Sequence, residues 1–509
     1  MIFNSLEFIA VFLPLAYLGF LLAHRVGGRE TLPTYVAAIS VIFYAQFSMT
    51  LAMILCGSIA FNYLAGAAIM KARGQEGGGA LGILVGAIVA NIVALGYFKY
   101  TGFLLQIAGD MTGIGMPHVD IILPVGISFY TFVQIGYLVD TYGGQIEQRP
   151  TLARYAVFAA FFPAVTAGPL VLSREMLGQM NEWKAFEPRR LGIGLAIFGA
   201  GLFKKVVLAD AIAPFANAAF DGVSAGMAIE PTIAWLGSLA YALQLYFDFS
   251  GYSDMAIGLG LIFGLRLPLN FNSPFKATSI SEFWRRWHMT MTRFFTTYLY
   301  TPMAVRGMRG VMGRAQAAGK PASMAERFVM TAGGPVLLTF LVAGIWHGAG
   351  WTFVVYGLIH GAALAINHAW REFRLPAVND ILGWALTMGV VVSGLVVFRA
   401  PDLATAISIW TQMWSFGLLS SDVAGSAVQM DVIGAAAYVG VLGAIVMLMP
   451  NTQELTGSDR VTSDETATDA LPKALRWRPS PVWAVTCAIV LVLGIGKIGA
   501  NSSFLYYQF

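Results

Sequence analysis

A chain of 509 residues that is 57% hydrophobic and only 11% charged cannot be a globule facing water all round, because a soluble domain carries about 25% charged residues. A net charge of +4, with no basic stripe interleaved with aromatics, excludes a nucleic-acid-binding surface. The two cysteines, Cys56 and Cys487, both lie in apolar stretches and supply neither a disulfide framework nor a cysteine zinc site.

The length therefore measures membrane crossings. A crossing takes about 20 apolar residues, and the candidate spans in chain order are 6–23, 32–46, 50–70, 81–97, 121–139, 153–172, 191–208, 229–249, 255–265, 328–345, 351–369, 381–398, 433–449 and 482–499. The first is expected to be retained, since its first charge is the acidic Glu7, whereas a cleavable signal opens with a basic region. Residues 153–172 contain Pro163, Gly168 and Pro169, and residues 271–302 carry many polar groups. Irregular backbone at membrane depth is tolerated only when covered by protein or lining a wet cavity, so these parts read as re-entrant. Lysines and arginines in short loops set the orientation. Arg25 and Arg29, Lys71 and Arg73, and the basic loop 306–327 with Arg309, Arg314 and Lys320 are expected in the cytoplasm. The N-terminus is then outside. The polar linker 451–480, with Lys473, Arg476 and Arg478, is cytoplasmic, and the C-terminus is outside. No internal repeat or soluble module interrupts the chain, which reads as one polytopic domain over 1–509. Only 77–79 and 451–470 look flexible.

An ionisable group inside a span is costly and is a functional candidate by default. Of six histidines, His24 and His118 read as interfacial. His347 ends an apolar run that has no charge after Arg327, and glycines flank it in Gly344-Ile345-Trp346-His347-Gly348. Desolvation favours its neutral imidazole, a form that can act as a general base; the alternative is a histidine that only bonds a neighbouring helix. His288 closes Ser281-Glu282-Phe283-Trp284-Arg285-Arg286-Trp287-His288. Read as one helix, this stretch places Trp284, His288 and Met291 on one face and Arg286, Thr290 and Arg293 on another. The arginines suit a donor's phosphates; the alternative is a membrane-surface helix with snorkelling arginines and anchoring tryptophans. His360 and His368 share a face of the next span, but no carboxylate stands at zinc-ligand spacing. Asp248 and Asp254 either orient a histidine or arginine, or pair structurally, with Ser250 or Ser253 as a helix cap. Lys204 and Lys205 read as an interface mark. No phosphate-binding loop and no Gly-x-Ser-x-Gly nucleophile motif is present.

Five motifs then occur in order: Leu123-Pro124-Val125-Gly126-Ile127-Ser128-Phe129-Tyr130, Tyr246-Phe247-Asp248-Phe249-Ser250-Gly251-Tyr252-Ser253-Asp254, Asn270-Phe271-Asn272-Ser273-Pro274-Phe275, Phe283-Trp284-Arg285-Arg286-Trp287-His288 and Gly344-Ile345-Trp346-His347-Gly348. Together with Pro450-Asn451-Thr452-Gln453 and the terminal Phe504–Phe509 stretch, they resemble the membrane-bound O-acyltransferase superfamily in its alginate O-acetylase branch, most densely over 121–375. The resemblance implies an all-α integral membrane protein, with helices ringed around a central tunnel and re-entrant segments. It implies an O-acetyltransferase of the bacterial inner membrane. Acetyl-CoA from the cytoplasm would be the donor, and no cofactor or metal would be bound. The acetyl group would pass, usually through a periplasmic or membrane-anchored acetyltransferase partner, to an exopolysaccharide such as alginate. Under this reading His347 and His288 are catalytic. Arg285, Arg286, Trp284, Trp287, Trp346 and Asn272 bind substrate, and His360, Asp248 and Asp254 support the site. Trp351 joins the tryptophans that wall the cavity. One departure from the resemblance stands out: Ala164-Val165-Thr166 stands where relatives often carry a Gln or His followed by Leu-Ile. The alternatives are another acceptor (peptidoglycan, cellulose or D-alanylated teichoic acid) or a polysaccharide transporter, which predicts matching broken spans in two halves.

Overall fold

In hydrocarbon only a helix satisfies its own backbone amides and carbonyls, so long apolar runs become helices. The computed structural model describes residues 1–75, 78–117, 119, 121–415, 427–457, 476–499 and 504–505. Among them the regular elements are all helices: α1 (Leu13–Gly27), α2 (Leu32–Ala45), α3 (Met49–Arg73), α4 (Ala80–Leu95), α5 (Thr101–Thr112), α6 (Ile127–Tyr142), α7 (Leu152–Ala160), α8 (Ser173–Gln179), α9 (Pro188–Phe203), α10 (Asp210–Ser224), α11 (Pro231–Ile262), α12 (Ile280–Arg286), α13 (Met289–Phe295), α14 (Thr301–Ala318), α15 (Met324–Phe328), α16 (Gly334–His347), α17 (Trp351–Glu372), α18 (Asp380–Arg399), α19 (Leu403–Trp414), α20 (Val432–Leu448), α21 (Thr452–Thr456) and α22 (Pro481–Gly496).

Seven continuous helical stretches among these residues are long and apolar enough to cross a membrane, and the protein is a multi-pass membrane protein. One of them, Phe8–Ala45, is a hairpin rather than a single rod. Thr31 Oγ1 donates to the Ala23 carbonyl and Tyr35 Oη to the Ala16 carbonyl, so α2 runs back along α1. That agrees with separate spans at 6–23 and 32–46. The region 153–172 is broken as expected: α7 stops at Ala160 and the chain turns irregularly to α8.

The helices fall into two compact units. The first comprises Met1–Val206, Ser250–Leu269 and Thr452–Gln508. In it, Asn62 and Asn91 exchange amide hydrogen bonds of 3.1 and 2.8 Å between α3 and α4. Gln134 of α6 donates to Ser58 and accepts from Tyr155. Here α9 and the end of α11 meet backbone to backbone: a Cβ at Gly194 would lie 2.7 Å from the Gly258 carbonyl, and one at Gly251 2.7 Å from that of Gly201. Small residues permit this approach where no water drives association.

The second unit comprises Val207–Phe249 and Asn270–Asn451. It contains the basic helix α14, the short α15, the successive spans α16, α17 and α18, and the broken segment α12–α13. Arg314 pairs with Glu326 at 2.9 Å, and Arg327 with Glu372 at the end of α17 at 2.5 Å.

Several expectations change. The spans 229–249 and 255–265 are one continuous helix, α11, so neither Ser250 nor Ser253 is a cap. Asp254 does not break the helix because Lys204 Nζ lies 2.6 Å from it and Thr452 Oγ1 donates to it at 2.7 Å. Lys204 and Lys205 are therefore not an interface mark; Lys205 is 2% exposed, with its ammonium 5.1 Å from the centre of the Phe504 ring. The stretch around His288 is not one helix. It breaks at Trp287 and His288, which undoes the two faces read from helical spacing.

Candidate active site

The span α16 carries no charged residue and delivers His347 as its last residue, 7% exposed. A pair of glycines sets how closely α17 lies against it. A Cβ at Gly344 would sit 2.9 Å from the Gly357 Cα, and one at Gly357 would strike the Phe340 carbonyl. This contact brings the side chains of α17 around the imidazole. The His347 ring lies 4.8 Å from Trp346, 5.9 Å from Tyr356 and 5.2 Å from Phe398 of α18, centre to centre.

The same ring chain continues to two further histidines. Tyr356 is 4.6 Å from His360, and His360 meets the edge of Trp284 at 5.1 Å. Gly394 of α18 leaves the space that His360 occupies, since a Cβ there would strike Nε2. The Trp346 ring is also 6.1 Å from that of His288. His288, Trp346, His347, Tyr356, His360 and Trp284 thus form one connected run of rings, all buried.

His288 is held unusually. Its backbone is left-handed, with φ 43°, a conformation costly for a residue with a Cβ and concentrated at functional sites. Asn270 fixes it there. The Asn270 carbonyl accepts from Met289 N at 2.9 Å. Its Oδ1 lies 3.0 Å from His288 Nδ1 and accepts from Thr290 Oγ1 at 2.9 Å and Thr290 N at 3.4 Å. A backbone amide can only donate, so the atom facing it is the amide oxygen of Asn270. Nδ1 of a neutral His288 must then carry the proton, and Nε2 is the basic nitrogen. Phe249 packs its ring 4.8 Å from the imidazole.

His360 is 1% exposed, and among the described residues neither of its ring nitrogens has a hydrogen-bond partner; the same is true of the buried Trp284 Nε1. An unmade buried hydrogen bond costs about 1–3 kcal/mol, so a pair of such groups side by side calls for a functional reason.

The other expected residues divide. Trp287 is buried against Phe271 and Phe283, whereas Trp351 is 52% exposed and walls nothing enclosed. Arg286 is engaged by Glu282 at 2.8 Å and donates to the Asn272 carbonyl. Burial pushes the Glu282 carboxyl up, but the Thr278 amide and Arg286 outweigh it and leave the pKa below the usual value. Arg285 lines a separate groove between α12, α17 and α18. Asn272 Oδ1 accepts from Asn451, a structural tie. Asp248 is 1% exposed on α11; Asp254 serves Lys204 and Thr452. His368 is half-buried near the end of α17, His24 is exposed at the end of α1, and His118 lies outside the described residues. The sequence reading missed Asn270, Tyr356 and Phe398. Asn270 lies in Asn270-Phe271-Asn272-Ser273-Pro274-Phe275, where nothing local distinguishes it from Asn272.

Comparison with known proteins gives consistent results. Residues 141–312 match the membrane-bound O-acyltransferase family. The chain is similar to a peptidoglycan O-acetyltransferase of Helicobacter pylori, at 37% identity over 80% of this chain and 79% of that one. It is similar to a probable alginate O-acetylase of Azotobacter vinelandii, at 34% identity over the full length of both. A teichoic acid D-alanyltransferase of Bacillus subtilis is 27% identical over 62% of this chain and 77% of its own.

Proposed function

This chain belongs to the membrane-bound O-acyltransferase family and is an acyltransferase, and from that premise we propose that it takes an acetyl group from cytoplasmic acetyl-CoA and delivers it across the inner membrane to a hydroxyl of an exopolysaccharide of the alginate kind. The observation that carries the reading is that the buried rings of His347 and His288 both lie against Trp346, at 4.8 and 6.1 Å. A charged donor does not cross hydrocarbon cheaply. A buried base reached from both faces, as along a tunnel through the helices, removes the need for the donor to cross.

The chemistry follows from the side chains. His347 accepts the proton of the acceptor hydroxyl as that oxygen attacks the thioester carbonyl carbon. The new C–O bond forms, the C–S bond breaks, and the proton on His347 passes to the departing CoA thiolate. The acceptor is the polymer itself or a partner acetyltransferase that carries the acetyl group onward. His288, with its Nδ1 proton given to Asn270, presents Nε2 as an acceptor. It therefore orients the donor by accepting from an amide N–H, and assists a developing oxyanion only once protonated. Trp284, Trp287 and Arg286 frame this donor side.

Full-length similarity to a probable alginate O-acetylase favours an exopolysaccharide acceptor. The peptidoglycan O-acetyltransferase relative, at 37% identity, supports a second acceptor of the same chemistry. A strain lacking the gene separates them. Loss of acetyl groups from exopolysaccharide with peptidoglycan unchanged is the expected result, and the reverse pattern selects the second acceptor. Acetylation unchanged in both polymers contradicts the proposal.

A further inference from the structure

Where α17 ends and α18 begins, the second unit contains a groove of about 770 Å³, floored by α12. Its lining includes both arginines and apolar side chains. At the mouth are three arginines, Arg285, Arg371 and Arg374. Along the walls lie apolar side chains that remain open to the outside: Ile366 is 63% exposed, Leu386 57% and Trp370 39%. In a membrane protein such walls face lipid.

The charge in the groove is unbalanced. Among the described residues no carboxylate pairs with any of the three arginines. Two acidic residues also line the groove, and both are otherwise engaged. Glu282 is held by Arg286 at 2.8 Å and by the Thr278 amide at 2.9 Å. Asp380 sits in the first turn of α18, where the helix dipole favours a negative charge. Arg374 stands at the end of α17 with φ 53°, a position where glycine is the ordinary residue. Leu375 N returns to the Trp370 carbonyl at 3.0 Å, which closes the helix and keeps Arg374 at the mouth. Trp370 Nε1 donates to the Pro376 carbonyl, so its indole lies with a polar edge and an apolar face, as at a membrane–water boundary. The mouth is on the basic side of the unit, because Arg327 of α15 pairs with Glu372 beside it.

We propose that this groove binds an anionic phospholipid of the leaflet on the basic side, its headgroup phosphate on Arg285, Arg371 and Arg374 and its acyl chain between Ile366 and Leu386. Guanidinium forks match phosphate oxygens bidentately, and basic pockets between spans are suited to anionic headgroups. From Ile366 to Glu372, the last residue of α17, the helix rises about 9 Å, at 1.5 Å per residue, which spans a headgroup and the upper part of a chain. A soluble nucleotide donor would share the phosphate chemistry, but it has no use for apolar walls turned toward lipid. The inference goes beyond the proposed acetyl transfer and does not depend on it.

The test reads bound lipid. The full chain is delipidated in detergent, mixed with equal phosphatidylglycerol and phosphatidylcholine, and examined by native mass spectrometry. The wild type should retain one phosphatidylglycerol in preference to phosphatidylcholine. R371Q/R374Q should lose that preference by about tenfold or more, while R371K/R374K should keep part of it. Leu386→Trp, which fills the groove without altering charge, should reduce retention as well and decides the matter if the double variant does not fold. Phosphatidylglycerol retention unchanged in R371Q/R374Q or Leu386→Trp overturns the proposal. So does displacement of the lipid by acetyl-CoA, one for one, which would make the groove a donor site.

Discussion

Replacing Asn270 with alanine tests the α12–α13 turn most severely. The change removes the Oδ1 that accepts from Thr290 Oγ1 and Thr290 N and lies 3.0 Å from His288 Nδ1. His288 and Thr290 are 1% and 2% exposed, so water cannot easily replace it. At about 1–3 kcal/mol for each buried donor left unmade, three donors cost at least about 3 kcal/mol unless the turn rearranges. The imidazole also loses what fixes its tautomer, and displacement of a positioned group by about 1 Å can cost about 100-fold in rate. Asn270→Asp keeps an acceptor and should recover much of the stability, but its charge would favour protonated His288. Asn272→Ala removes only an exposed link to Asn451 and should cost under about 1 kcal/mol. The assay is thermal unfolding of purified protein together with polymer acetylation in cells. An Asn270→Ala protein with wild-type unfolding and wild-type acetylation would refute the assigned tautomer and the role given to His288.

Three further outcomes are expected. Asp254→Ala strands Lys204, whose side chain is 16% exposed, and should lower stability by about 3–5 kcal/mol, read from the unfolding midpoint. His360→Ala removes a ring that lies beyond Tyr356 from His347, and acetylation should fall less than tenfold when corrected for the amount of folded protein. A single cysteine at position 314 should react with a membrane-impermeant thiol reagent only after cells are opened; labelling of intact cells would reverse the orientation drawn from the basic segment.

The spans were legible because hydropathy over about 20 residues reflects a constraint every crossing helix obeys. Polar residues inside them were harder to read, because their meaning depends on partners far along the chain. Asp254 looked like a break in a span until Thr452, 198 residues away, and Lys204 met it. His288 fitted a helical spacing, but Asn270, 18 residues earlier, captures the turn with both its main chain and its side chain. His347 was visible as an ionisable group at the end of an uncharged run. Its ring neighbours Tyr356 and Phe398 come from α17 and α18, and nothing in the local pattern marks them. The groove beside Arg371 and Arg374 was equally hidden, since it exists only where α12 packs under the α17–α18 turn.

The assignment of His347 as the base is tested most directly by His347→Ala, with acetyl content of the polymer and folded protein in the membrane measured on the same cells. Loss of a positioned general base costs about 100- to 10,000-fold in rate. The expected result is acetylation at background with a normal amount of folded protein. Near-normal acetylation by a normally folded His347→Ala protein would make His347 a structural histidine and contradict the mechanism.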